Sequence, residues 1–412
     1  MASGKHFTDL PDELLLIIFS NLSIEDLAMS VQHVNSHWKN VSQDDSLWEY
    51  QTFSPGCKMS DEEISRHLRN MPALRSFCPS RGTNTKVVDT LCKYCRDIRH
   101  IYFGYFHKLS NSTLHQILKK FPHIEELVIP LPKVTDQLHF AELVAQFQKL
   151  TTLTFTSHCL STVASGVLRA IADGCPSLQC VDMGFTKSQT KDIEYFLEKK
   201  GRQLSSFSVR SYISTVAHKL LTECSNLESL TYHNLNVDLP NTYIQSLSKL
   251  SEMRKLVLRY FRECQTRNVS SIFKNQSMSK LITLYLYDSD DFDGSSLAVI
   301  LTNCPQLQRL AVHECGLTDD DDVMEHIFKC KQLEVLELSH TSHLLGINFH
   351  LIPSTLVHLT ELHVHDCSSL DKKCMDKLKD EMPHLLIAGI YTRNEETDVN
   401  LADANFFISQ LL

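Results

Sequence analysis

One apolar phrase recurs along this 412-residue chain at a nearly fixed interval, and it constrains the fold more than any other feature. Its anchors are Ile98, Ile124, Leu150, Leu178, Leu204, Leu227, Met253, Leu281, Leu307, Leu333, Leu359 and Leu385, separated by 26, 26, 28, 26, 23, 26, 28, 26, 26, 26 and 26 residues. At nearly every anchor the pattern is apolar-x-x-apolar-x-apolar, as in Leu281-Ile282-Thr283-Leu284-Tyr285-Leu286 and Leu333-Glu334-Val335-Leu336-Glu337-Leu338. Units this small cannot bury their own apolar faces, so they must stack until neighbours complete one another's core. A chain of this length would otherwise suggest two or three globular domains, whereas a stack grows by adding units. An earlier anchor, Leu74 with Phe77, extends the array backward to about thirteen repeats.

Within a unit the first, fourth and sixth residues of the phrase face inward from a strand, and the rest reads as a helix. After Leu153 and Phe155 come Val163, Val167, Leu168 and Ile171, which line one helical face. The predicted class is therefore α/β, a leucine-rich-repeat solenoid with a curved parallel sheet inside and helices outside. Thirteen strands at about 4.8 Å give a sheet roughly 60 Å along the curve. Such chains bind other proteins.

A net charge of −9 argues against a nucleic-acid binder, which needs a basic footprint. The longest apolar run near the start, Leu14 to Phe19, is too short for a membrane span, and no secretory leader is evident, so a cytoplasmic or nuclear protein is expected. No phosphate-cradling glycine loop and no nucleophile with a recognised context occurs, so neither catalysis nor a cofactor is expected. Among the 14 cysteines, Cys95, Cys175, Cys224, Cys304 and Cys330 stand three residues before an anchor, a slot filled elsewhere by Met71, Phe121, Phe147, Met278 and Met382. They read as a core column of free thiols. Cys315 and Cys367 fall eight residues after their anchors and read as small groups packed at the turn. Zinc at Cys92-x-x-Cys95 with His100 and His107, or a metal at His363, His365 and Cys367, is disfavoured. The run Asp319-Asp320-Asp321-Asp322 lacks the spacing of a calcium loop and suits a helix start.

The segment before the array has another pattern. Residues Asp9 to Leu22 read as an amphipathic helix with Pro11 near its first turn and Leu14, Leu15, Ile18, Phe19 and Leu22 apolar. Ser23 with Asp26 begins a second helix carrying Leu27, Val31, Val34, Trp38 and Val41, and a short third piece ends in Leu47-Trp48. Three short helices have little core of their own and leave apolar surface for a partner. The string Leu10-Pro11-x-Glu13-Leu14-Leu15-x-x-Ile18-Phe19-Ser20-x-Leu22, then Asp26-Leu27, Val34, Trp38 and Leu47-Trp48, resembles the F-box, with Asn35 where that family commonly has Cys. Together with the repeats, the chain resembles the F-box and leucine-rich-repeat proteins, substrate receptors of Skp-cullin-F-box ubiquitin ligases. The expected layout is an F-box over 5–50, a helical linker over 51–73, the solenoid over 74–390 and a C-terminal cap or tail over 391–412.

The resemblance implies a non-catalytic receptor whose helices dock a Skp-family adaptor and, through it, a cullin-RING ligase. Candidate adaptor-binding residues are Leu10, Pro11, Leu14, Ile18, Phe19 and Leu22, with Leu27, Val34, Trp38, Leu47 and Trp48 partly structural. The cargo surface follows from the phase of the repeat, since residues two, four and six after an anchor point into the concavity. Early strands offer Thr152, Thr154, Thr156, Ser206 and Ser208; later ones offer Arg210, His233, Lys255, Arg259, Arg309 and His313 with Tyr285 and Tyr287 between them, then Glu337, Glu361, His363 and His365. The cationic, tyrosine-bearing strip is the expected dock for an acidic or phosphorylated protein segment. The alternative is a repeat scaffold or inhibitor acting without a ligase.

Overall fold

The computed structural model describes residues 10–49, 51–56, 58–79, 84–103, 110–130, 136–156, 163–183, 190–209, 213–233, 245–259, 269–287, 294–313, 320–340 and 344–389. Every anchor from Leu74 to Leu385 is buried, as are the fourth residues of the phrase from Phe77 to Leu362. Among the described residues their thirteen strands, with one more before them, form one fourteen-stranded parallel sheet in sequence order. These are β1 (Thr52–Phe53), β2 (Ser76–Phe77), β3 (His100–Tyr102), β4 (Glu126–Pro130), β5 (Thr152–Thr156), β6 (Cys180–Asp182) and β7 (Ser206–Val209). There follow β8 (Ser229–His233), β9 (Lys255–Arg259), β10 (Thr283–Tyr287), β11 (Arg309–His313), β12 (Val335–Ser339), β13 (Glu361–His363) and β14 (Leu386–Ala388). A backbone ladder runs along the strand starts, each N–H donating to the preceding repeat, as in Thr151 to Glu125 and Gln179 to Thr151 at 2.8 Å each.

The array begins one unit earlier than its clearest phrase. Within 51–73, expected as a helical linker, β1 pairs with β2, and the helix Asp61–Arg69 is the first of the outer layer. Phe53 and Pro55 stand 24 residues before Phe77 and Pro79, and all four are buried. The last pairing also departs from the 26-residue step, because Glu361 is opposite Leu386 rather than the residue after it. The expected tail over 391–412 lies outside the described residues.

Side chains reach between neighbouring repeats at several helix contacts. The buried Asp192 carboxylate accepts from Gly166 N–H and from Arg169 Nε, both at 2.7 Å. Lys200 Nζ donates to the Cys175 carbonyl at 2.7 Å inside the stack. A Cβ on Gly174 would lie 2.7 Å from the Ala145 carbonyl oxygen, so glycine alone lets the helices Gln137–Val144 and Val167–Gly174 come this close. The cysteine column is core: Cys95, Cys175, Cys224, Cys304 and Cys330 are buried, and burial raises the Cys95, Cys175 and Cys304 thiols to about 12 and those of Cys224 and Cys330 to about 11. The Cys367 thiol donates to the Leu338 carbonyl at 2.9 Å. Cys315 and His107 lie outside the described residues.

Before the sheet, α1 (Asp12–Phe19), α2 (Ile24–Met29) and α3 (Ser36–Val41) form a small bundle. The expected second helix is two. A 3₁₀ turn over Val31–His33 follows α2, and Asn35 restarts the chain by accepting Trp38 N–H at 2.7 Å, the N-cap role its side chain suits. Ser23 caps α2 through Asp26 N–H at 3.0 Å. The bundle and the solenoid share one continuous core running from Leu15 to Leu385. Gln32 Nε2 donates to the Asn70 carbonyl at 2.5 Å, and Arg75 on the first long repeat pairs with Asp45 at 3.6 Å and Glu49 at 3.4 Å.

Candidate functional site

Two surfaces stand out, one on the bundle and one in the concavity. On α1 six consecutive apolar residues, Leu14 to Phe19, exceed what one buried face can take. Leu15 and Phe19, one turn apart, enter the core, while Leu14 and Ile17 stay 47% and 62% exposed. Val34, at the end of the 3₁₀ turn, is 50% exposed. A small bundle that leaves three large aliphatic residues in water presents apolar surface to a partner.

The expected adaptor residues therefore divide. Pro11, Leu14 and Val34 are exposed, and Leu10, Ile18, Leu22 and Trp38 are half-buried. Phe19, Leu27, Leu47 and Trp48 are buried: Trp38 stands edge-on to Phe19 with ring centres 5.3 Å apart, and Trp48 Nε1 donates to the Ser42 carbonyl at 2.7 Å. Those four build the bundle and offer nothing to a partner. Ile17, absent from the expected set, is the most exposed aliphatic residue of α1; the signal for it was the unbroken apolar run itself.

In the concavity, register fixes a lattice on β9, β10 and β11. Lys255, Thr283 and Arg309 lie side by side, then Val257, Tyr285 and Ala311, then Arg259, Tyr287 and His313. The middle row with Tyr287 is a second apolar cluster on the face opposite the main core, so Tyr285 and Tyr287 are buried rather than presented as cargo contacts. Their role is to support cations. The Arg259 guanidinium lies 4.0 Å from the Tyr287 ring centre, and Arg309 hydrogen-bonds the Tyr285 hydroxyl. Burial pushes the Lys255 ammonium down, the Asp182 carboxylate partly opposing this and Arg309 reinforcing it. Burial likewise raises the Tyr285 phenol, against the pull of Arg309.

Beside this lattice the sign of the charge changes. His313 Nε2 lies 2.9 Å from the buried Glu337 carboxylate, which also accepts from Ser339 Oγ at 3.3 Å. Burial pushes Glu337 up, but the His313 hydrogen bond and the fields of His313, His363 and His365 outweigh it, and the carboxyl ends below its ordinary value. On β13 the His363 ring meets Glu361 at 3.1 Å and lies near His365. The expected strip thus comes together at Lys255, Arg259, Tyr285, Tyr287, Arg309 and His313. Arg210 lies outside the described residues, as does the side chain of His233. Among the described residues no group of three His, Cys, Asp or Glu side chains is arranged to hold a metal. Asp319 lies outside them, and Asp320–Ile327 is a helix, as the acidic run suggested. No described helix is long and apolar enough to cross a membrane.

Comparison with known proteins follows the same division. A family model described as F-box-like matches residues 7–54. The chain is similar to the ubiquitin ligase complex F-box protein UFO1 of Saccharomyces cerevisiae, 29% identical over 107 residues, covering 21% of this chain and 16% of that protein. It is similar to putative F-box/LRR-repeat protein 21 of Arabidopsis thaliana, 26% identical over 184 residues, covering 44% of this chain and 52% of that protein. The chain spans about half the length of the second relative and a sixth of the first. Among solved structures, the crystal structure of the yeast Rad7 and Elc1 complex matches with a TM-score of 0.56 and 17% identity, covering 95% of this chain and 94% of that one. That likeness carries the fold.

Proposed function

We propose that this F-box and leucine-rich-repeat protein is the substrate-recognition subunit of a ubiquitin ligase of the Skp-cullin-F-box type, with no catalytic step of its own. The observation that carries the proposal is the pairing of an exposed apolar face on an F-box-like bundle with a second, chemically distinct surface on a solenoid fused to it. Leu14, Ile17 and Val34, flanked by Leu10, Pro11, Ile18 and Leu22, dock a Skp-family adaptor, which joins the chain to a cullin-RING assembly. Anchors of this kind concentrate binding energy in a few apolar residues. The concave strip holds a protein target that is acidic or phosphorylated. The mechanism is proximity: a stiff body with two binding surfaces raises the local concentration of a target lysine near the charged enzyme. A cytoplasmic or nuclear site of action goes with this role.

Adaptor choice is open to a direct experiment, since the solved complex that shares the fold pairs Rad7 with Elc1. Immobilised chain titrated with a purified Skp-family adaptor, and separately with an Elongin-C-like one, distinguishes the two. Tight binding of the Skp-family adaptor, weakened at least about 100-fold by Leu14→Arg with Ile17→Arg while the melting temperature holds, is the expected outcome. Preference for the Elongin-C-like protein would replace the adaptor, and binding unchanged by the double substitution would overturn the docking face.

A further inference from the structure

The concave lattice is more selective than a general basic strip. Its corners are Lys255, Arg309, Arg259 and His313, set around Tyr285 by the pairing of β9, β10 and β11. Corners of one row stand about 10 Å apart, two strand spacings, and those of one strand about 13 Å apart, four residues along it. Long side chains at such separations are within reach of one small ligand over the centre, where Arg309 already bonds the Tyr285 hydroxyl. Thr283, half-buried between Lys255 and Arg309, adds a hydroxyl to that row. Carboxylates bound the lattice on both sides: Asp182 on β6 acts on Lys255, and Glu337 and Glu361 stand on β12 and β13.

That arrangement discriminates between two kinds of anion. An acidic tract extended across the strands would lay negative charge over the cations and then over Asp182 or Glu361, where like charges repel. A single compact dianion needs only the centre, where Lys255, Arg309 and Arg259 can each donate to it. Tyr287 under Arg259 and the Tyr285 hydroxyl beside Arg309 hold both guanidinium groups in place before a ligand arrives. Across Val335 from Arg309 lies Glu361, half-buried on the same row; His363 meets one of its oxygens at 3.1 Å, and the rest of the carboxylate's acceptor capacity complements a cation.

We infer that the concave face of β9 to β11 is a site for one phosphoryl group on a cargo side chain, with a lysine or arginine of the same cargo segment seated toward Glu361. This deepens the receptor proposal, and rests on it only in taking the concave face as the cargo surface. The cargo class is thus a singly phosphorylated segment with a nearby positive charge rather than a polyacidic one.

Degenerate peptide libraries passed over the purified full-length protein test this. One is fixed at phosphoserine, one at serine and one at two adjacent glutamates. The expected result is retention of the phosphoserine library at least about tenfold above the other two, with Lys or Arg enriched at one position near the phosphoserine. Arg309→Gln and Arg309→Glu should both abolish the phosphoserine preference, and Glu361→Lys should replace the selected Lys or Arg by Asp or Glu. Adaptor affinity measured on the same samples serves as the folding control. Equal retention of serine and phosphoserine, or equal retention of the glutamate library, would overturn the inference. Loss of adaptor binding by the wild type would instead count against the receptor role and leave this site standing.

Discussion

Glu337 shows how much of a site can hide in one position of a repeat. Its place on the concave side followed from the phase of the ladder, yet nothing in the phase says that it is buried or that His313 holds it. Its folded carboxyl sits below the ordinary glutamate value of 4.5, so the stability it lends is present above that value and is lost as the pH falls through the lower folded one. Glu337→Gln should therefore cost about 2 kcal/mol near neutral pH, the scale of a hydrogen bond to a charged group. Denaturant melts of the two proteins should converge below pH 4.5. A constant gap down to about pH 3 would show that the carboxylate contributes nothing through its charge. Tyr285 and Tyr287 teach the same point from the other side: alternation gave their face, while only the lattice shows them buried beneath cations.

Among the elements, the strands and the first bundle helix were legible, and the break in the second bundle helix was not. Columns one, four and six of each phrase must be apolar for the stack to close, so the strand positions are written repeatedly. The exception is β1, whose two residues carry Phe53 alone in the column and follow directly on the bundle. The second bundle helix read as continuous because Leu27, Val31, Val34, Trp38 and Val41 keep helical spacing across its break. Asn35 is the cause of the break. An asparagine there competes for backbone donors, and its side chain captures Trp38 N–H to start α3. Asn35→Ala should cost about 1 kcal/mol by losing that cap. Calorimetry should show the loss as a lowered melting temperature, and an unchanged melting profile would mean that α3 is held by packing alone.

At the scale of the whole molecule, the shared core and the Arg75, Asp45 and Glu49 contacts make bundle and solenoid one body. The ladder could not foresee this joint, because Arg75 fills a position of the phrase that the repeat leaves open, and Asp45 and Glu49 lie outside the bundle's apolar stripe. A rigid joint fixes where cargo sits relative to an adaptor, which a flexible linker would blur. Among the described residues the two surfaces share no residue and no contact partner, so substitutions in one need not couple to the other. The most direct measurement is quantitative capture from cells with parallel ubiquitin-remnant profiling, comparing wild type, Leu14→Arg with Ile17→Arg, and Arg259→Glu with Arg309→Glu. The first variant should retain the same cargo proteins while losing the adaptor and their ubiquitination, and the second should retain the adaptor while losing the cargo. Cargo that is still ubiquitinated through the adaptor-deficient variant, or adaptor and cargo lost together in either one, would contradict the account.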